Sequence, residues 1–119
     1  PLFYSTLHCR RGTTMKNKDI RIARELKSRL SSLVELLDFK VFGSRARGDA
    51  DEYSDMDVFF EVESLDSALK EKISEIVWEV ELNNYTVISP LIFTREELEN
   101  SPLRSSTIVE VIAEEGVAV

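Results

Sequence analysis

Two aspartates, Asp55 and Asp57, stand one residue apart at the entry to the apolar run Val58-Phe59-Phe60, and upstream of them lies a Gly-Ser turn at Gly43-Ser44. On a strand, residues i and i+2 point to the same face, about 6–7 Å apart along the chain. Two carboxylates held that way can share divalent cations, which prefer hard oxygen ligands. Without a cation they repel each other; the simpler use of such a pair is to cap a loop at a strand start. The Gly-Ser turn follows the apolar positions Phe39, Val41 and Phe42, where a strand would end and a helical turn begin. Backbone N–H groups at such a turn suit an anionic phosphate. Gly43 lets the backbone approach closely, and Ser44 can add a hydroxyl donor. Taken alone the turn is a plain strand-to-helix connection. Beside a carboxylate pair it becomes half of a site for chemistry on a nucleoside triphosphate.

The neighbouring residues refine this picture. Arg45 and Arg47 can each neutralise phosphate charge as a bidentate donor, or pair instead with Asp49, Asp51 or Glu52. Ser54 is expected to cap or orient the loop leading into the aspartates. Tyr53 could stack on a base or pack on the sheet. Trp78, Met56 and the phenylalanines are expected in the core. His8 and Cys9 are two ligands in a tail and do not make a zinc site.

Elements able to position these residues follow from hydrophobic spacing. Asp19 to Leu37 carries Ile20, Ala23, Leu26, Leu30, Leu33, Val34 and Leu37, the three-and-four spacing of an amphipathic helix. Asp38–Phe42 reads as a short strand, residues 44–48 as a helical turn, 49–53 as a polar loop and Met56–Val62 as a second strand. Leu65 to Leu82 returns to helical spacing, and Asn83-Asn84 signals a turn. Tyr85–Phe93 reads as a third strand, with Pro90 pointing to an edge position or a bulge. Thr94 and Glu97 form a capping box for a short helix. Ser101-Pro102 would open the last helix, whose apolar positions Leu103, Ile108, Val109, Val111 and Ile112 fit core packing or, in part, an interface, and Gly116 would close it. The order α-β-turn-β-α-β-α-α predicts an α+β fold: a small mixed sheet of about three strands flanked by helices.

The pattern Gly43-Ser44-x-Ala46-Arg47-Gly48, followed by Ser54-Asp55-x-Asp57, resembles the polymerase-β-like nucleotidyltransferase superfamily. In particular it resembles the minimal nucleotidyltransferases, often encoded beside a helical HEPN-domain protein in prokaryotic toxin–antitoxin pairs. The resemblance implies the nucleotidyltransferase fold, with two magnesium ions on Asp55 and Asp57 as metal-binding and catalytic residues. It implies nucleotide contacts from Gly43, Ser44, Arg47 and Ser54, and ATP or another NTP as substrate. The implied reaction moves a nucleoside monophosphate, AMP in the first instance, to a hydroxyl on a macromolecule. A tyrosine of a HEPN partner would be the acceptor, making this chain the antitoxin; a homodimer is a second implied assembly. One departure bears on activity. Active members usually hold a third carboxylate on the next strand, yet residues 85–93 contain no acid. Ser89 or Leu91 falls near that position. Glu61 shares the face of the aspartates, but about 13 Å from Asp57 at ~3.3 Å per residue it substitutes poorly. The alternative expectation is therefore a degenerate module that binds nucleotide or partner without turnover.

Composition sets the outer limits. With 119 residues, 43% of them hydrophobic and 31% charged, the chain suits one soluble domain with one core. A net charge of −7 argues against broad nucleic-acid binding, which needs clustered Lys and Arg. The lone Cys9 suits a reducing cytoplasm, and no apolar stretch approaches the ~20 residues of a membrane span. Pro1–Thr14 lacks periodicity and precedes Met15, which reads like a natural start. The expected division is a tail at 1–14, disordered or foreign to the fold, and a single nucleotidyltransferase domain at 15–119.

Overall fold

Alternation along one strand decides the architecture. In Met56–Val62 the even-numbered residues Met56, Val58, Phe60 and Val62 are fully buried against helices on one face, while Asp57, Phe59 and Glu61 point to the other. The computed structural model describes residues 15–100 and 106–119. Within them lie α1 (Asn17–Leu33), β1 (Asp38–Phe42), α2 (Gly43–Arg47), β2 (Met56–Val62), α3 (Ser67–Asn84), β3 (Ile88–Thr94), α4 (Arg95–Asn100) and α5 (Thr107–Glu115). The tail at 1–14, the helix start at Ser101-Pro102 and Leu103 fall outside the described residues.

The sheet order is β1-β2-β3, with β1 antiparallel and β3 parallel to β2. A parallel neighbour demands a crossover, which α3 supplies. This is the mixed three-stranded α+β sheet expected from the sequence. Ile22, Leu26 and Leu30 of α1 and Ile73, Val77 and Val80 of α3 pack on the even face of β2. On the odd face, Val109 and Ile112 of α5 cover Phe42, Phe59 and Phe93. The result is three layers, with β2 central and buried from both sides.

Several boundaries differ from expectation for local reasons. α1 stops at Leu33 rather than Leu37, because Val34 turns extended at φ −150° and sends Leu36 and Leu37 towards β1. The Asn83-Asn84 turn moves to Tyr85, the residue after α3, and β3 begins at Ile88 rather than Tyr85. Trp78 does not join the core: it is 59% exposed, one position around α3 from the buried Val77. Tyr53 is exposed and does not pack on the sheet. Pro90 does lie on an edge strand among the described residues, and the Thr94/Glu97 capping box forms as expected, with Glu97 N–H donating to Thr94 Oγ1 at 3.2 Å. An unforeseen bridge joins Val117 to Val41, covering the outer edge of β1.

Tyr85 has φ +51° and is 93% exposed. The left-handed position after a helix suits glycine, whereas a side chain there is strained. Since Tyr85 has little packing to lose, Tyr85→Gly is expected to stabilise the fold by about 0.5–1 kcal/mol. Thermal melting would register this as a rise of a few degrees; an unchanged or lower midpoint would show that Tyr85 is held by contacts of its own.

At the sheet end away from the aspartates, Asp38 faces Glu61 across β1 and β2. Burial raises the Glu61 pKa above 4.5, and the Asp38 charge adds to the effect. An acid raised in the fold contributes stability that is fully present below its unfolded pKa and lost as pH rises through the folded one. At pH 7 ionised Glu61 therefore opposes folding. Glu61→Gln is expected to melt higher than the parent at pH 7, by about 1 kcal/mol or less after screening, with the gap closing towards pH 4. Melting curves at the two pH values decide it.

Candidate active site

The site forms where β1 hands over to α2 and where β2 begins. Phe42, the last residue of β1, pairs with Asp57, so the next residue, Gly43, turns directly beside that aspartate. Gly43 has φ +77°. A Cβ on it would come within 2.4 Å of Asp57 Oδ2, a separation that atoms do not tolerate. The space a side chain would take at position 43 is thus occupied by the Asp57 carboxylate. Glycine is required here by backbone conformation and by the approach of the acid together.

Asp57 is half-buried and Asp55, just outside β2, is exposed. Burial raises the Asp57 pKa above the ordinary carboxylate value; the Asp55 charge raises it further, and Arg47 opposes both. The two carboxylates therefore feel each other, and a cation would relieve that repulsion. Among the described residues no three His, Cys, Asp or Glu side chains gather as a metal cage. Two carboxylates still fit a hard divalent ion that completes its shell with triphosphate oxygens and water, as magnesium usually does. Ser89 of β3 is the register partner of Asp57 on the other side. The place beside the dyad where a third acid would stand holds an exposed hydroxyl.

The turn expected to face phosphate is α2 itself. Its N-cap, Phe42, makes no side-chain capping hydrogen bond. Gly48 closes the turn in the left-handed region at φ +81°. Arg47 is exposed and donates to Asp49 Oδ2 at 3.2 Å and to Glu115 Oε1 of α5 at 3.1 Å. Exposed pairs of this kind are worth about 0–1 kcal/mol, so Arg47 can exchange them for a phosphate. Ser54 orients the loop as expected: its Oγ accepts from Asp51 N–H at 3.2 Å and lies 3.1 Å from Asp51 Oδ1. The structure thus brings Gly43, Ser44, Asp55 and Asp57 to one sheet end, with Arg47 at the rim and Ser54 in the loop behind Asp55.

Arg45 is placed otherwise. It is only 4% exposed, and its ion-pair partner is Asp19 of α1 at 2.6 Å rather than Asp49, Asp51 or Glu52. Its remaining donors go to main-chain oxygens of the loop, chiefly Ser54 O. A buried guanidinium must spend its N–H groups on fixed partners, which withdraws Arg45 from phosphate contact. Asp19 and Lys16, which donates to Ala50 O at 2.9 Å, were not foreseen in the sequence. Asp19 carried a readable signal: an acid in line with Ile22, Ala23 and Leu26 on the buried stripe of α1 must find a partner inside.

A carboxylate pair beside a glycine turn, carried on a mixed sheet between helical layers, is the arrangement expected of a nucleotidyltransferase domain. The chain belongs to the nucleotidyltransferase domain family, whose model matches residues 21–119. Among solved structures it is similar to a protein from Sulfolobus solfataricus provisionally described as a nucleotidyltransferase. The two share 22% identity over 71% of this chain and 77% of that one, with a TM-score of 0.49. No curated protein matches the chain. No helix among the described residues is long and apolar enough to cross a membrane.

Proposed function

We propose that this chain is a magnesium-dependent nucleotidyltransferase that moves AMP from ATP to a hydroxyl on a macromolecular acceptor, a tyrosine of a HEPN-domain partner for which it serves as antitoxin. The observation that carries this reading is the Asp57 carboxylate packed against Gly43, which sets a metal-competent acid against the phosphate turn. Asp55 and Asp57 would hold the metal. Bound there, magnesium would supply Lewis-acid stabilisation of charge on the phosphoryl oxygens and the departing pyrophosphate. The Gly43-Ser44 turn orients the phosphates through backbone N–H groups, and Arg47 neutralises them from the rim. The acceptor oxygen attacks the α-phosphorus as its bond to pyrophosphate breaks. The hydroxyl proton passes to solvent; Ser89, the register partner of Asp57, is no base to receive it.

Ser89 also favours a second reading, in which the chain binds nucleotide or its partner without turnover. The two separate in one experiment: α-labelled ATP and magnesium with the purified chain, in lysate and with the product of any adjacent HEPN gene. An Asp55→Asn/Asp57→Asn variant runs in parallel. Label on a macromolecule only with the native dyad establishes transfer and gives the acceptor by mass. Magnesium-dependent ATP binding without label establishes the binding module.

A further inference from the structure

We infer that Arg45, anchored by Asp19, is the positioning residue that sets Asp55 against Asp57. The inference rests on the dyad reading above and deepens it.

The two aspartates are held by different means. Asp57 lies inside β2 and is fixed by its ladder partners Phe42 and Ser89. Asp55 precedes the strand, and the first bond anchoring β2 to the β3 side is Met56 N–H to Val87 O at 2.8 Å. That bond holds the Asp55–Met56 peptide on one side of the residue, and the loop before it holds the other. Arg45 donates to Ser54 O from Nε at 3.0 Å and from Nη2 at 2.8 Å, and Nη2 also faces the carbonyls of Asp51 and Glu52 at 3.5 Å. The Ser54 carbonyl and the Asp55 N–H share one rigid peptide plane. Two donors on that oxygen set the plane, and with it the direction in which Asp55 leaves the loop.

The anchor is rigid in turn. Arg45 Nη1 meets Asp19 Oδ1 at 2.6 Å, with Asp19 only 2% exposed, at the first turn of α1, where a carboxylate is favoured by the helix dipole. Lys16 straps the same loop through Ala50 O, and Met15 and Ala50 are buried. The first turn of α1 thus backs the metal pair through the guanidinium. Outer-layer partners of this sort typically alter metal affinity by about 10–100-fold when removed.

The test uses Mn²⁺ alone as probe, with binding to the full chain followed by electron paramagnetic resonance and folding by thermal melting. Arg45→Lys keeps a charge for Asp19 but cannot present two donors to one oxygen. Asp19→Leu/Arg45→Met removes both buried charges together, an exchange that folds often tolerate. Either variant, still melting cooperatively, is expected to bind Mn²⁺ about tenfold or more weakly. Because Arg45 acts through Asp55, adding Arg45→Lys to Asp55→Asn should weaken binding no further; a purely structural role would not give that dependence. If the double exchange fails to fold, Arg45→Lys decides alone. A folded Arg45→Lys chain with parental Mn²⁺ affinity, or equal losses with and without Asp55, overturns the inference while Asp57→Asn still abolishes binding. Parental binding by Asp57→Asn overturns the dyad reading itself, and this inference with it.

Discussion

Asp57→Asn is expected to reduce nucleotidyl transfer by about a thousandfold or more while leaving the fold intact. Asparagine keeps the shape that fills the space beside Gly43 but loses the charge that would hold a divalent cation. Lewis-acid stabilisation of several kcal/mol corresponds to about three orders of magnitude in rate. The same variant should be slightly more stable than the parent when metal is absent. Burial and the Asp55 charge raise the Asp57 pKa above 3.8. The stability tied to this group is fully present below its unfolded pKa and lost as pH rises through the folded one. At pH 7 the parent carries that loss and the asparagine variant does not. Partial exposure keeps the difference below about 1 kcal/mol, a few degrees of melting temperature. Saturating magnesium should reverse the order by stabilising only the parent. Melting both proteins with magnesium and with chelator tests the pair of signs. A parent that gains nothing from magnesium would argue against a metal on the dyad.

Gly43→Ala should be damaging by a different route. The backbone at φ +77° strains any residue with a Cβ, by about 1–2 kcal/mol. The added methyl also meets Asp57 Oδ2 at 2.4 Å, so either the carboxylate or the turn must move. Misplacement of a reacting group by about 1 Å can lower a rate about a hundredfold. The expected result is a loss of about 1–3 kcal/mol in stability together with weakened Mn²⁺ binding. Gly48→Ala, strained at φ +81° at the other end of α2, serves as the comparison. It should lose stability without a matching loss of Mn²⁺ affinity. Equal effects of the two alanines on Mn²⁺ affinity would mean that the approach of Asp57 to Gly43 is not what the site requires.

These two positions also mark how far local pattern carries. Asp38–Phe42 and Met56–Val62 were readable to the residue, because short apolar runs bounded by a glycine turn and by acids admit little else. The helix ends were less so: Val34 and Leu37 keep the apolar spacing of α1 but lie beyond its end, where Val34 packs on the core outside any helix, and periodicity cannot tell those apart. Trp78 was misplaced because residue type suggests burial, whereas its angle on α3 turns it outward. The last strand contact, Val117 on Val41, depends on a return of the chain that no window of sequence contains.

Residue type and spacing were enough to suggest the class of site. Gly43-Ser44 at the end of one apolar run and Asp55 and Asp57 at the entry to the next read as a turn suited to phosphate and a carboxylate pair, because such readings depend on residue type and short spacing. The missing acid was legible too, since residues 85–93 hold none. Which neighbours meet at that site depended on the packing of distant segments. That packing set Ser89 beside Asp57 through strand register, and it pressed Asp57 against Gly43. It turned Arg45 inward to Asp19, 26 residues away along the chain, and left Arg47 at the rim. Two arginines two residues apart have the same chemistry on paper. On a short helical turn they point in different directions, and burial then ties one to the loop while the other stays exposed at the rim, paired with Asp49 and Glu115.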